Sequence, residues 1–264
     1  MGAVVERLWT KRCEGAHVTE GAAGRPRRVM VSVAHPDDAE FSCAGTVARW
    51  AAEGQEIIYV LGTSGDKGSD DLDMTSERLM ALREDEQRAA CKVLGVSEVV
   101  FLRMPDAELV PDLEMRKKLT RVIRQYKPDA VICQDPTARF EGSGYIQHPD
   151  HIAMGEATVA AIFPSARDRL TFPELLAEGY EPHKVNEVYL MASFANCDHF
   201  IDITNYMETK LKALAAHTSQ VGDWPVAPFL ERWGRDNAAL ARSRNVTEAW
   251  EWDYAEAFKY MRLD

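Results

Sequence analysis

The sequence predicts an α/β protein: a Rossmann-like, doubly wound and mostly parallel sheet in three layers, with helices on both faces. Three observations carry this expectation. Short, nearly continuous apolar runs recur, as in Val29-Met30-Val31-Ser32-Val33-Ala34 and Ile57-Ile58-Tyr59-Val60-Leu61, and such runs suit parallel strands buried on both faces. Longer stretches with apolar residues at helical spacing separate them. The two kinds alternate over residues 29–133, and that alternation builds a parallel sheet covered by helices.

The elements follow in order. Residues 1–28 hold no apolar core of the roughly 7–15 residues a signal peptide needs. Their Gly21-Ala22-Ala23-Gly24 and Pro26-Arg27-Arg28 stretches read as a mobile arm, or one that packs on a neighbouring subunit. Residues 29–264 read as one domain. A strand over 29–34 opens it, then a helix over 44–53 ending at Gly54, a strand over 57–61 and a polar loop over 62–75. A long helix over 76–94 places Leu79, Leu82, Glu86, Ala90 and Val93 on one stripe, with Gly95 as its C-cap. A strand over 99–102 precedes a helix over 113–126, whose apolar face is Leu119, Val122, Ile123 and Tyr126. Pro128 stops that helix, and 130–133 is a fourth strand.

A helix over 151–163 and a proline-interrupted segment to 184 lead to strands over 187–191 and 200–203. Asn205 with Glu208 reads as a capping box opening a helix over 206–216. The segment of about 221–264 is helical in composition and holds Trp224, Trp233, Trp250 and Trp252, which read as core or interface before sugar platforms.

The chain has 264 residues with 42 acidic and 31 basic side chains, a formal net charge of −11. Hydrophobic residues make up 46% and charged residues 28%, which excludes collagen-like, disordered and membrane-spanning classes. No apolar run approaches the roughly 18 residues of a bilayer span. The acidic balance argues against a nucleic-acid partner, and there is no polybasic segment for a membrane surface. Five cysteines without a CxxC pair read as buried thiols of a cytoplasmic protein. A homo-oligomer is compatible with all of this.

Two short segments carry the chemistry. Ala34-His35-Pro36-Asp37-Asp38-Ala39-Glu40 follows the first strand directly, and ligands of open α/β sheets bind outside the carboxyl ends of strands. An acidic cap on the next helix explains one aspartate; it does not explain two with a histidine and a glutamate. Gln147-His148-Pro149-Asp150-His151 lies beyond the fourth strand, with its histidines three apart at a helix start. His35, Asp38 and His151 offer a two-histidine, one-carboxylate set. A catalytic zinc takes three protein ligands and leaves a position open for water. Asp37 is then placed to take a proton from that water, and His148 to face the developing oxyanion. Two imidazoles are poor ligands for calcium or magnesium. Iron(II) or another divalent transition metal fits the same ligands.

His-Pro-Asp-Asp-x-Glu after an apolar strand, with a later His-Pro-Asp-His, resembles the PIG-L/LmbE family of zinc-dependent N-deacetylases. The resemblance covers about residues 29–220. It includes Thr63, Gly65-Asp66-Lys67-Gly68, Arg83-Glu84-Asp85-Glu86, Pro105-Asp106, Pro128-Asp129, Asp135-Pro136 and Ala216-His217-Thr218-Ser219-Gln220. It implies an LmbE-like fold for the domain and Zn²⁺ on His35, Asp38 and His151. Asp37 is then the general base and His148 polarises the acyl carbonyl, while Asp150 orients His148 or His151 from behind. Arg83 matches an arginine near substrate hydroxyls. A tyrosine shortly before the second motif assists in some members; here Tyr145 stands three residues before His148.

Read from the residues alone, Arg83 pairs equally well with Glu86, and Asp66 lines either the pocket or a solvated loop. His217 ends a helix, where a histidine cation suits the dipole. His17, His183 and His199 read as surface or structural.

The implied activity is zinc-dependent removal of an N-acyl group, foremost acetyl, from an amino sugar or a small metabolite containing one. The rival is an amidase on a thiol conjugate or natural-product amide. A nucleotide-binding module needs a GxGxxG or GxxxxGK[ST] turn, and neither occurs. A metal-binding protein without catalysis would need neither Asp37 nor His148.

Overall fold

The computed structural model describes residues 25–141, 144–191 and 196–263; most of the N-terminal arm read from the sequence, residues 1–24, lies outside them. The chain runs β1 (Arg28–Val33), α1 (Asp38–Ser42), α2 (Ala44–Ala52), β2 (Glu56–Thr63), α3 (Ser76–Leu94), β3 (Glu98–Met104), α4 (Leu113–Tyr126) and β4 (Ala130–Gln134). A short hairpin of β5 (Phe140–Glu141) and β6 (Tyr145–Ile146) precedes α5 (Pro149–Ala160) and α6 (Pro173–Ala177). Then come β7 (Glu187–Met191), β8 (His199–Asp202), α7 (Met207–Leu214), α8 (Thr218–Val221), α9 (Val226–Ser243) and β9 (Ala255–Arg262).

Among the described residues the central sheet has the order β3-β2-β1-β4-β7-β9-β8. The first five of these strands pair in parallel; β9 pairs antiparallel with β7 and with β8. Side chains of a strand alternate between faces, and the apolar runs therefore feed two cores. Val29, Val31, Ile57, Tyr59 and Ile132 pack under α2, α3 and α7. Met30, Ile58, Val60, Val131 and Cys133 pack under α4 and α5. Full burial of each such side chain contributes about 1.5–3 kcal/mol, which is why these runs become central strands.

The strand order reverses between β1 and β4. From β1 the chain steps outward through β2 to β3, then crosses back to β4 on the other side. The carboxyl ends of β1 and β4 thus form the switch point where open α/β sheets bind ligands. The two histidine segments follow these two strands. Helix α5 comes very close to the end of β4 at Gly155, where a Cβ would lie 2.4 Å from the Gln134 carbonyl oxygen.

Several expectations are corrected. The C-terminal segment is helical only through α9 and a 3₁₀ turn over Thr247–Glu251; it ends as β9 inside the sheet. Its residues Ala255-Glu256-Ala257-Phe258-Lys259 are mostly helix formers. Its Glu256 is buried with Lys210 (2.5 Å) and caps the α2 start through Gly45 and Thr46 N–H, so the strand's polar residue faces inward. Of the two readings for the tryptophans, core or interface, Trp224 and Trp250 lose the first, being exposed.

The predicted helix over 44–53 is preceded by a separate turn, α1, broken at Cys43. No capping box forms at Asn205: a 3₁₀ turn over Thr204–Tyr206 leads into α7 without a side-chain cap. Helix α5 starts at Pro149 and stops at Ala160, before a wider turn that holds Phe163 and Pro164. On α3 Leu82 and Val93 are 39% and 42% exposed, while Arg83, Glu86 and Gln87 are buried. That helix turns a polar face inward because it faces the site.

Candidate active site

The end of β1 sets the first half of the site. Asp38 begins α1 and its Oδ2 accepts the His35 backbone N–H (2.8 Å) and Gln134 Nε2–H (2.9 Å). The same carboxylate lies between two imidazoles, with Oδ1 3.0 Å from His151 Nε2 and Oδ2 3.5 Å from His35 Nδ1. The start of α5 sets the second half. His148 is its N-cap, and its Nδ1 accepts the Asp150 backbone N–H at 3.2 Å. The rings of His35, His148 and His151 stand 4.7–5.4 Å apart, and each offers a nitrogen within 4.8 Å of the others.

Hydrogen bonds decide which nitrogen faces where. His35 Nε2 meets Asp106 Oδ1 (3.0 Å) and Asp150 Oδ2 (3.2 Å). Nε2 therefore carries a proton, and in the neutral ring the Nδ1 lone pair faces Asp38. His151 Nδ1 meets Gln147 Oε1 at 3.1 Å, leaving Nε2 toward Asp38. His148 Nδ1 is an acceptor, so its neutral form carries the proton on Nε2 as a donor. Burial and the charge near His35 hold the His148 pKa below its ordinary value, which favours that neutral form.

Asp37 stands beside this cluster, half-buried, with Oδ2 accepting from Arg83 Nη2 at 3.2 Å. Burial and the adjacent Asp38 raise its carboxyl to about 7, against the pull of Arg83. At His35, burial opposes a charge, yet hydrogen bonds donated to Asp106, Asp150 and Asp38 outweigh it and push the ring up to about 12. The cluster thus stabilises a cation strongly. Two imidazoles flanking one carboxylate fit a divalent transition metal in chemistry, and the sets whose ligand atoms all lie within 4.8 Å of one another are His35, His148 and His151, and His35, Asp106 and Asp150.

Each sequence-predicted site residue has a definite place. His35, Asp38, His151, His148 and Asp37 come together. The carboxylate of Asp150 goes to His35 and to the backbone N–H of Ala107 (2.7 Å) and Leu109 (3.1 Å), rather than to His148 or His151; only its backbone reaches His148. Arg83 does not pair with Glu86. It binds Asp37, Pro36 O (2.8 Å) and Gly65 O (3.1 Å), and Gly65 must be a glycine because a Cβ there would lie 2.3 Å from the guanidinium. Glu86 instead accepts from Thr218 and Ser219.

Asp66 Oδ1 accepts the Asp106 N–H at 3.1 Å, which places it behind Asp106. Tyr145 is half exposed, and its hydroxyl donates to Gln147 Oε1 at 3.1 Å. His217 caps the start of α8, fully buried, with Nε2 3.3 Å from Glu40 Oε2; it does not serve a helix C-terminus. Asp106 and Gln147, which orient His35 and His151, had escaped notice. Asp106 sat in a Pro-Asp pair of the resemblance, and Gln147 abutted the second motif.

The family model described as GlcNAc-PI de-N-acetylase (PIG-L) matches residues 30–162, from β1 through α5. The chain belongs to the PIG-L family. Diacetylchitobiose deacetylase of Thermococcus kodakarensis is 30% identical to this PIG-L protein over 194 residues, 74% of this chain and 70% of its own. The 1D-myo-inositol 2-acetamido-2-deoxy-alpha-D-glucopyranoside deacetylase of Actinosynnema mirum is 28% identical, over 75% of this chain and 82% of its own. Among solved structures, N,N'-diacetylchitobiose deacetylase from Pyrococcus horikoshii superimposes with a TM-score of 0.79 at 30% identity, covering 89% of this chain and 84% of that one. These relatives hydrolyse amide bonds, and this PIG-L protein is an enzyme of that class.

Proposed function

We propose that the protein is a zinc-dependent N-deacetylase acting on an N-acetyl amino sugar or a small metabolite that contains one. One observation carries the reading most: His35 Nδ1, both oxygens of Asp38 and His151 Nε2 face one another at the β1/β4 switch point, with Asp37 alongside. The names of the relatives support the substrate class.

His35, Asp38 and His151 would hold the metal, which when bound supplies Lewis-acid activation of water and of the acyl carbonyl. The remaining chemistry belongs to the chain. Asp37, raised toward neutrality, accepts the proton of the attacking water and returns it to the leaving amine nitrogen. A base with a pKa near the working pH suits both transfers. Arg83 keeps the Asp37 carboxylate in place. His148 presents Nε2–H to the acyl oxygen as negative charge grows there, the role of an oxyanion-hole donor. Asp106, Asp150 and Gln147 fix the ring orientations of His35 and His151. Tyr145 acts through Gln147, and Asp66 through Asp106.

Residues 29–264 form one deacetylase domain in this reading, because β9 from the C-terminal end joins the sheet that carries the site. The buried thiols Cys43, Cys91 and Cys133 support a cytoplasmic setting. No helix among the described residues is long and apolar enough to cross a membrane.

Release of free amine from N-acetylglucosamine, N,N'-diacetylchitobiose and a thiol-conjugate amide tests the substrate class, using zinc-loaded enzyme. Turnover of the sugar amides is expected. Turnover of the thiol conjugate alone would favour the amidase reading.

A further inference from the structure

Asp37 holds a backbone conformation that an aspartate rarely adopts, with φ 90° and ψ −26°. Such a conformation persists only where the surroundings over-determine it. Two residues one turn apart on α3 do so. Arg83 grips the Pro36 carbonyl and the Asp37 carboxylate. Gln87 grips the backbone: its Oε1 accepts the Asp37 N–H at 3.2 Å.

The orientation of the Gln87 amide is itself dictated. Its Nε2 donates to Glu40 Oε1 at 3.0 Å. Glu40 presents a carboxylate oxygen there, and its other oxygen lies 3.3 Å from His217 Nε2 without a hydrogen bond between them. With the amide nitrogen committed to Glu40, the amide oxygen must face Asp37. A flipped amide would set donor against donor at Asp37 and acceptor against acceptor at Glu40. Gln87, Glu40 and His217 are all fully buried, so water does not substitute freely for these bonds.

We propose that Gln87 is a positioning residue for Asp37, and that Glu40 behind it sets the direction of its amide. This rests on reading Asp37 as the proton acceptor. Gln87 touches the backbone of Asp37 and leaves the carboxylate to Arg83. Its loss therefore alters the aim of the base and leaves the metal ligands in place.

The test uses Gln87→Met, which keeps length and removes both hydrogen bonds, Gln87→Glu, and the exchange Gln87→Glu with Glu40→Gln. In the exchange, donor and acceptor trade places and both bonds can re-form. With N,N'-diacetylchitobiose as substrate, Gln87→Met should keep its zinc and a KM within about twofold, while kcat falls roughly 10- to 100-fold, the scale of small misplacements. Gln87→Glu should fall at least as far, because it sets two carboxylates face to face, and the exchange should restore most of the loss. Hydrogen exchange at the Asp37 amide should quicken in Gln87→Met and slow again in the exchange variant.

An unchanged kcat in Gln87→Met overturns the proposal. So does a loss that the exchange does not repair, or an Asp37 amide as protected as in the wild type. If the wild type hydrolyses none of the amides, the deacetylase reading fails by itself. Amide exchange then decides the role of Gln87 alone: faster exchange in Gln87→Met upholds it, and unchanged exchange overturns it.

Discussion

The two ends of the central sheet are both crowded with charge, and they use it differently. At the amino ends of the strands the charges pair one to one. Arg25 meets Asp129 at 2.9 Å, Arg28 meets Glu56 at 2.6 Å, and Arg27 meets Glu187 while stacking over Trp50. At the carboxyl ends four carboxylates, Asp37, Asp38, Asp106 and Asp150, share Arg83 and two imidazoles, those of His35 and His151. Balanced pairs tie strands together and leave little field over. An unequal cluster leaves a strong field, which acts together with burial: burial and Asp38 raise Asp37 to about 7, while His35 is pushed up to about 12 and Asp106 drawn down to about 2 by their mutual hydrogen bond despite burial. In the proposed reading, one end serves stability, and the other holds a cation and moves a proton.

Substitutions at the two ends should separate these roles. The largest effect is expected at Asp37. Asp37→Asn should keep its zinc and lose roughly 10²- to 10⁴-fold in kcat, the range for a missing general base. A fully active, metal-loaded Asp37→Asn would end the base assignment. A smaller effect is expected at Asp106, which touches His35 through its other nitrogen. Asp106→Asn should weaken zinc binding by roughly 10- to 100-fold in a chelator competition; unchanged affinity would show that Asp150 alone orients the ring. The smallest effect on catalysis is expected at the opposite end. Arg27→Met should lower unfolding free energy by about 1–3 kcal/mol, as for a broken, mostly buried ion pair, with kcat of the folded enzyme unchanged. A specific loss of kcat there would erase the contrast between the two ends.

The parallel strands were legible because burial on both faces demands unbroken apolar runs, and β1, β2 and β4 are such runs. The His35–Glu40 and Gln147–His151 segments were legible because the residues proposed as ligands and base sit close together in the chain. Other parts depend on distant partners. Asp106 is a single aspartate until the loop after β3 brings it to 3.0 Å from His35. Nothing in the sequence singles out Gln87 until Asp37 and Glu40 are placed against it. Strand β9 reads as helix because Ala, Glu, Lys and Met favour helices, and its buried Glu256 finds Lys210 only in the folded chain. The path of Asp150 to His35 was likewise hidden, since its nearest histidines in sequence are His148 and His151.

The central claim is that His35, Asp38 and His151 hold a zinc ion at the switch point between β1 and β4. Anomalous diffraction at the zinc edge from crystals of the purified protein tests it most directly. One peak is predicted within about 2.0–2.2 Å of His35 Nδ1, an Asp38 oxygen and His151 Nε2. A peak held by His35, His148 and His151 with Asp38 turned away would contradict the account, as would zinc bound only elsewhere.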